Sequence, residues 1–83
     1  MEERLGFAGI VVDDHERSGE AINRILADHA ALIVARLGIP NVGEKTAVIT
    51  LVVRATTDAM GTLTGKLGML DGVQVKSALG RKA

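Results

Sequence analysis

The sequence has no cysteine, tryptophan or tyrosine, a single phenylalanine, Phe7, and a single proline, Pro40. Without cysteine there are no disulfides, no thiol nucleophile and no Cys-type zinc site, which suits a reducing compartment. With one aromatic ring the core must be aliphatic, and the platforms on which single-stranded nucleic acids stack are missing. Neither sign of charge is in excess: 10 Lys and Arg balance 10 Asp and Glu, for a formal net charge of +0 and a pI near 6.7. Such a surface is not suited to neutralising a phosphate backbone. No apolar run approaches the ~20 residues that span a bilayer. The opening Met1-Glu2-Glu3-Arg4 does not lead into an apolar segment of the signal-peptide kind. These absences predict a cytoplasmic protein with no membrane partner and no direct nucleic-acid binding.

What is present is ordinary for a folded domain: 47% hydrophobic and 24% charged residues in a chain of 83, one domain over residues 1–83. A chain this short buries only about 60–65% of the surface it exposes when unfolded, and small domains often draw further stability from partners. Leu5 to Val12 is a short apolar run with a β-branched end, a buried strand that stops at Asp13-Asp14. Asp13 or Asp14 caps the helix that follows, with Glu16 in its first turn. Ile22, Ile25, Leu26 and His29 form that helix's amphipathic stripe. Leu32 to Ile39 reads as a second strand, Pro40, Asn41 and Gly43 as a turn, and Lys45 to Ala55 as a third strand rich in Val, Ile and Thr. Thr57 or Asp58 caps a second helix with Met60, Leu63, Leu67 and Leu70 on its stripe. Asp71-Gly72 is a turn, Val73 to Leu79 the last strand, and Gly80 to Ala83 a loose tail. The order β-α-β-β-α-β predicts an α+β, ferredoxin-like sandwich: a four-stranded antiparallel sheet with two helices on one face.

A sheet covered on one face should alternate apolar and polar residues if its other face meets water. These strands alternate poorly. The third sets Ala47, Ile49, Leu51 and Val53 against Val48, Thr50, Val52 and Arg54. The second sets Ile33, Ala35, Leu37 and Ile39 against Leu32, Val34, Arg36 and Gly38, and the first is apolar on both sides. The pattern predicts an open face carrying Ile10, Val12, Leu32, Val34, Val48 and Val52, a patch larger than monomers expose. Its simplest cover is a second copy, which makes Ile10, Val12, Val34, Val48 and Val52 the expected interface of a dimer or tetramer.

The polar residues carry little chemistry. Asp13-Asp14-His15-Glu16 is the densest cluster and is explained by helix capping. His15 and His29 fall at opposite ends of one helix, roughly 20 Å apart at 1.5 Å per residue, so one subunit cannot bring both to one metal ion; no metal site and no cofactor are expected. Gly61-x-x-x-Gly65-Lys66 lacks the spacing and the Ser or Thr of a phosphate loop and lies within a helix pattern; with Gly68, these glycines predict a smooth helix face for close packing. Ser18, Ser77 and the histidines show no nucleophile–base spacing, so no enzyme is expected. Arg36 and Arg54 fall on the less apolar sheet side, as edge charges or as contacts for an anion.

Three segments carry a resemblance: Val11-Val12-Asp13-Asp14, Arg36-Leu37-Gly38-Ile39-Pro40, and above all Gly65-Lys66-Leu67-Gly68-Met69-Leu70-Asp71-Gly72-Val73-Gln74-Val75-Lys76. They resemble the iron-only hydrogenase system regulator family, small proteins of ACT-like fold similar in shape to the C-terminal domain of the nickel-responsive regulator. The resemblance implies a regulatory module, with transcription regulation as its context, that assembles with itself and senses a small-molecule effector. It places the ligand where the first strand meets the first helix, at a subunit boundary, here Asp13 to Arg17, with Asp13, Asp14 and His15 as candidate contacts; the acidic groups there repel an anion unless a neighbour's Arg36 or Arg54 offsets them. The acidic turn favours a cationic or zwitterionic ligand. Two alternatives stand beside this reading: a metal sensor whose site forms between subunits, and a small-ligand-binding protein unrelated to transcription. The sequence lacks the Pro-Gly that follows the first-strand Asp in amino-acid-binding ACT domains, and the Cys of the nickel-binding relatives.

Overall fold

The computed structural model describes residues 2–81. Its elements follow the predicted order: β1 (Arg4–Val12), α1 (His15–Asp28), β2 (Ile33–Gly43), β3 (Thr46–Ala55), α2 (Thr57–Gly68) and β4 (Val73–Leu79), with a single 3₁₀ turn, Ala30–Leu32, between α1 and β2. The strands form one antiparallel sheet in the order β2-β3-β1-β4, which makes β2 and β4 its edges.

Both helices start where a side chain can accept the orphan N–H groups of the first turn. Asp14 caps α1, accepting from the N–H groups of Glu16 and Arg17 at 3.1 and 3.2 Å. Thr56, one residue before the expected cap, accepts from Ala59 N–H at 3.1 Å and begins α2. The predicted stripes are the buried ones: Ile22 and Leu26 from α1, Met60, Leu63 and Leu67 from α2. They close over Ala8, Ile10 and Val12 of β1, Ala47 to Ala55 at alternate positions of β3, and Val73 of β4, an aliphatic core without an aromatic ring. Among the described residues Ser18 is the one buried polar side chain, satisfied by donating to the Asp71 carbonyl at 3.3 Å.

The faces of β1 and β2 differ from expectation. Ile10 and Val12, expected on the open face, point at the helices and are 0% and 1% exposed. β1 is apolar on both sides, so alternation alone cannot orient it; its register does, pairing Ile10 with Ile49 and Val12 with Ala47. In β2 the ladder shifts between Ile33 and Ala35, and Val34 is the extra residue of a bulge. From there on Arg36 and Gly38 pair with the core residues Leu51 and Ile49, and so take the helix side. Leu37 and Ile39 take the open side, 67% and 50% exposed. Leu32, expected in the second strand, lies in the 3₁₀ turn and packs partly against the core.

The expected turn at Pro40, Asn41 and Gly43 is strand. β2 runs on to Gly43, and the chain reverses at Glu44-Lys45. Proline is tolerated because β2 is an edge strand whose ladder is irregular between Ile39 and Gly43, the settings in which a strand accommodates a missing N–H. At the other end Gly80 is not loose: its N–H donates to the Leu5 carbonyl at 2.7 Å. The last two residues of the expected tail, Lys82 and Ala83, lie outside the described residues.

Candidate functional site

The segment before α1 is the junction of the molecule. Asp13 N–H donates to the Gly72 carbonyl at 2.8 Å, binding the start of α1 to the turn that enters β4. Arg17 reaches Asp71 at 3.4 Å in an exposed ion pair, a contact worth little in water. From the opposite side, His15 N–H donates to the Lys45 carbonyl at 2.8 Å, and Lys45 approaches Glu16 at 3.5 Å. The β2–β3 reversal is thereby docked on the first turn of α1.

Between that docking point and the bulge, α1 and β2 stand apart and enclose a cleft of about 240 Å³. The helix contributes His15, Gly19 and Asn23, spaced i, i+4 and i+8 along one face. The strand contributes Arg36, Gly38 and Pro40, alternate residues of its helix side. The floor is apolar, made by Val12, Ile22, Ala47 and Ile49. Two glycines facing each other across the gap leave it empty of side chain: a Cβ on Gly19 would meet nothing within 4 Å, and one on Gly38 would only touch Ile49 at 4.0 Å. At one end the Arg36 guanidinium donates through Nη2 to Asn23 Oδ1 at 2.8 Å. At the other end His15 Nε2 lies 2.9 Å from the Asn41 amide. With its nitrogen turned inward, Asn41 donates to His15 Nε2 and meets the Pro40 and Glu44 carbonyls at 3.1 and 3.3 Å. In that orientation the Asn41 N–H donates and His15 Nε2 accepts.

Of the four residues expected to bind a ligand, the fold brings His15 and Arg36 into the cleft and leaves Asp13 and Asp14 outside it. The Asp14 carboxylate is spent on capping, and the Asp13 side chain lies against Gly72. The Arg36 that lines the cleft belongs to the same chain as His15. Asn23 and Asn41 were not anticipated. The spacing of His15, Gly19 and Asn23 was a readable signal for Asn23, whereas Asn41 became a partner only once β2 was known to extend past Pro40. His29 closes α1, its Nδ1 2.9 Å from the Ile25 carbonyl. Among the described residues, no three His, Cys, Asp or Glu side chains converge on a point that could hold a metal ion.

A second, wider groove of about 610 Å³ runs between α2 and the β4 edge, lined by Gly61, Gly65 and Gly68 opposite Val73 to Ser77. No atom lies within 4 Å of a Cβ built on any of these three glycines. Within this chain the close packing expected at these glycines is not made: among the described residues β4 is an edge strand with no strand beyond it, and the groove stays open.

The β-α-β-β-α-β order and the single antiparallel sheet define a ferredoxin-like, ACT-like fold. The ACT domain of a GTP pyrophosphokinase from Chlorobium tepidum superposes with a TM-score of 0.77 at 22% identity, over 92% of this chain and 99% of that one. The C-terminal domain of the MgtC protein from Mycobacterium tuberculosis shares the fold at a TM-score of 0.68 and 13% identity, over 95% and 88% of the two chains. Within that class, residues 4–77 match the TM1266-like family, described as "Iron-only hydrogenase system regulator, putative", and the chain belongs to that family. The structure of the uncharacterized protein TM1266 from Thermotoga maritima agrees, with a TM-score of 0.88 and 37% identity over 94% of this chain and 98% of that one. No curated protein matches the chain.

Proposed function

We propose that this chain is a regulatory module of an iron-only hydrogenase system, one that binds a small effector in the α1–β2 cleft and works as a homo-oligomer in the cytoplasm, without catalysing a reaction. The cleft carries the reading. It is concave, its floor is apolar, and a few polar groups converge at its rim, which is how small-molecule sites are built. At about 240 Å³ it falls below the roughly 300–1,000 Å³ typical of sites for drug-sized ligands, which favours a small metabolite over a nucleotide cofactor. The family description supports the regulatory context, and the likeness to the ACT domain of a GTP pyrophosphokinase supports the same kind of module. No nucleophile and base meet in the cleft, so it offers recognition and not turnover. The absence of charge excess argues that any effect on transcription passes through a partner protein.

The oligomer rests on the open sheet face. Phe7 and Val11 of β1, Leu37 and Ile39 of β2, and Val48 and Val52 of β3 lie together there by register, with Phe7 54% and Val52 43% exposed. Val48 and Val52 were expected at this interface; Val34 lies in the bulge, 59% exposed at the rim of the sheet. A metal sensor with an intersubunit site has less support, because among the described residues no three His, Cys, Asp or Glu side chains gather where they could hold a metal ion.

The test is a thermal-shift screen of metabolites on the wild type and on Gly19→Leu, which fills the cleft from a position where a side chain meets no atom. A compound that stabilises the wild type and loses its effect in Gly19→Leu supports the site. Hits that stabilise both proteins equally would place the effector elsewhere.

A further inference from the structure

We infer that the ligand of the α1–β2 cleft is a small aliphatic carboxylate that carries no positive charge. The inference rests on the reading of the cleft as a ligand site and names its chemical class, against the cationic or zwitterionic ligand that the acidic turn suggested.

The charges around the cleft point one way. Among its lining residues Arg36 is the one ionic side chain, and no Asp or Glu is present. The acidic groups that the sequence places nearby face elsewhere: Asp14 accepts from the backbone of Glu16 and Arg17, Glu16 approaches Lys45, and Asp71 approaches Arg17. Among the described residues Arg36 has no carboxylate partner; its Nη2 donates to a neutral amide, Asn23 Oδ1, at 2.8 Å. A guanidinium presents a planar fork that matches a carboxylate through two parallel hydrogen bonds. Such a charge-assisted pair is about twice as strong as a neutral one, so an entering carboxylate outcompetes Asn23 for the donor. Once released, the Asn23 amide is free to donate to the same carboxylate.

The rest of the ligand meets Val12, Ile22, Ala47, Ile49 and the side of Ile39. An ammonium among these groups would lose its hydration and gain no counter-ion, which is costly. At the His15 end the Asn41 amide, with one N–H on His15 Nε2, has only its other N–H for the Pro40 and Glu44 carbonyls at 3.1 and 3.3 Å, and those carbonyls offer an ammonium a hydrogen bond but no counter-charge. The cleft therefore distinguishes a carboxylic acid from the amino acid of the same skeleton by the charge it has no means to balance.

Three compounds of one branched skeleton isolate the point: isocaproate carries the carboxylate alone, leucine adds the ammonium, and isoamylamine has the ammonium alone. Titration calorimetry of the intact native protein should show isocaproate binding, leucine weaker by roughly tenfold or more, and isoamylamine silent. Arg36→Met, a change on an exposed side chain, should abolish isocaproate binding; Arg36→Lys should keep part of it, as charge survives without the fork. Gly19→Leu should abolish it as well. Leucine or the amine binding as tightly as isocaproate, in a manner that Gly19→Leu removes, keeps the cleft as a site and overturns the ligand class. Isocaproate binding that is unchanged in Arg36→Met also overturns the class. Silence from all three in a protein that answers other metabolites through the cleft does the same, whereas a protein that answers none at all overturns the cleft itself.

Discussion

Two glycines show how a single residue can be required for opposite reasons. Gly72 ends the turn into β4 at φ 72°, the left-handed region that costs an L-residue roughly 1–2 kcal/mol. A Cβ there would also press on the Asp13 side chain at 3.4 Å. Gly72→Ala should therefore lower unfolding stability by about 1–2 kcal/mol, measured as a fall in denaturation midpoint at fixed protein concentration. Gly6 is needed for space: a Cβ would be driven into the Ala78 carbonyl and the Leu79 backbone, so Gly6→Ala should separate β4 from β1 and cost more than Gly72→Ala. Gly19 is the contrast, since nothing lies within 4 Å of its added Cβ. Gly19→Ala should stabilise the protein by roughly 0.5–1 kcal/mol, the usual gain on removing glycine from a helix interior. If Gly19→Ala destabilises instead, α1 is packed more tightly against β2 than the open cleft implies.

At the scale of elements, α1 is held mainly at its start. Asp14 supplies the cap, His15 N–H is bound to the β2–β3 reversal, and the neighbouring Asp13 N–H to the turn before β4. Asp14→Ala should cost about 1 kcal/mol, the typical value for a lost N-cap, with Asp14→Asn recovering most of it. The same variant tests the placement of the ligand. Because the Asp14 carboxylate does not line the cleft, a ligand-induced thermal shift should survive in Asp14→Ala and vanish in Arg36→Met. The bulge at Val34 gives the second elemental effect. By inserting one residue ahead of Ala35, it lets Ile33 and Arg36 both lie on the helix side. Deleting Val34 would join Ile33 to Ala35 in unbroken alternation opposite Val53 and Val52 and keep Arg36 on the helix side opposite Leu51, so ligand binding should survive the deletion, whereas inserting a second residue there should turn Arg36 to the open face and abolish it.

The molecule is elongated, 40 × 19 × 17 Å, and among the described residues both helices lie on one side of the sheet. Phe7, Leu37, Ile39 and Val52 are exposed together on one face, and the proposed second copy would cover them with an identical patch. Val52→Lys and Phe7→Lys, at neighbouring and mutually paired positions on that face, should each shift the mass measured by light scattering towards the monomer. Ala21→Lys, on the exposed side of α1, should leave it unchanged. A wild-type protein that is monomeric at micromolar concentration would remove the case for assembly through the sheet.

The amino-acid sequence by itself determined the elements and their order. Helical periodicity placed Ile22, Leu26, Met60, Leu63 and Leu67 in the core, the Asp13-Asp14 pair marked the start of α1, and Val73 to Leu79 was legible as β4 to the residue. Those signals are local, because each is a matter of a few neighbours along the chain. β3 showed its faces for the same reason, Thr50 and Arg54 marking the outer side. The tertiary structure decided the rest. β1 is apolar on both sides, so only its pairing with β3 says that Ile10 and Val12 go inward. In β2 a bulge breaks the two-residue period on which any face assignment depends. The cleft was least legible of all: its two polar contacts join Asn23 to Arg36 and His15 to Asn41, residues that no local pattern connects. They meet because the sheet register sets where Arg36 falls opposite Asn23, and because β2 runs on past a proline that an edge strand can accommodate.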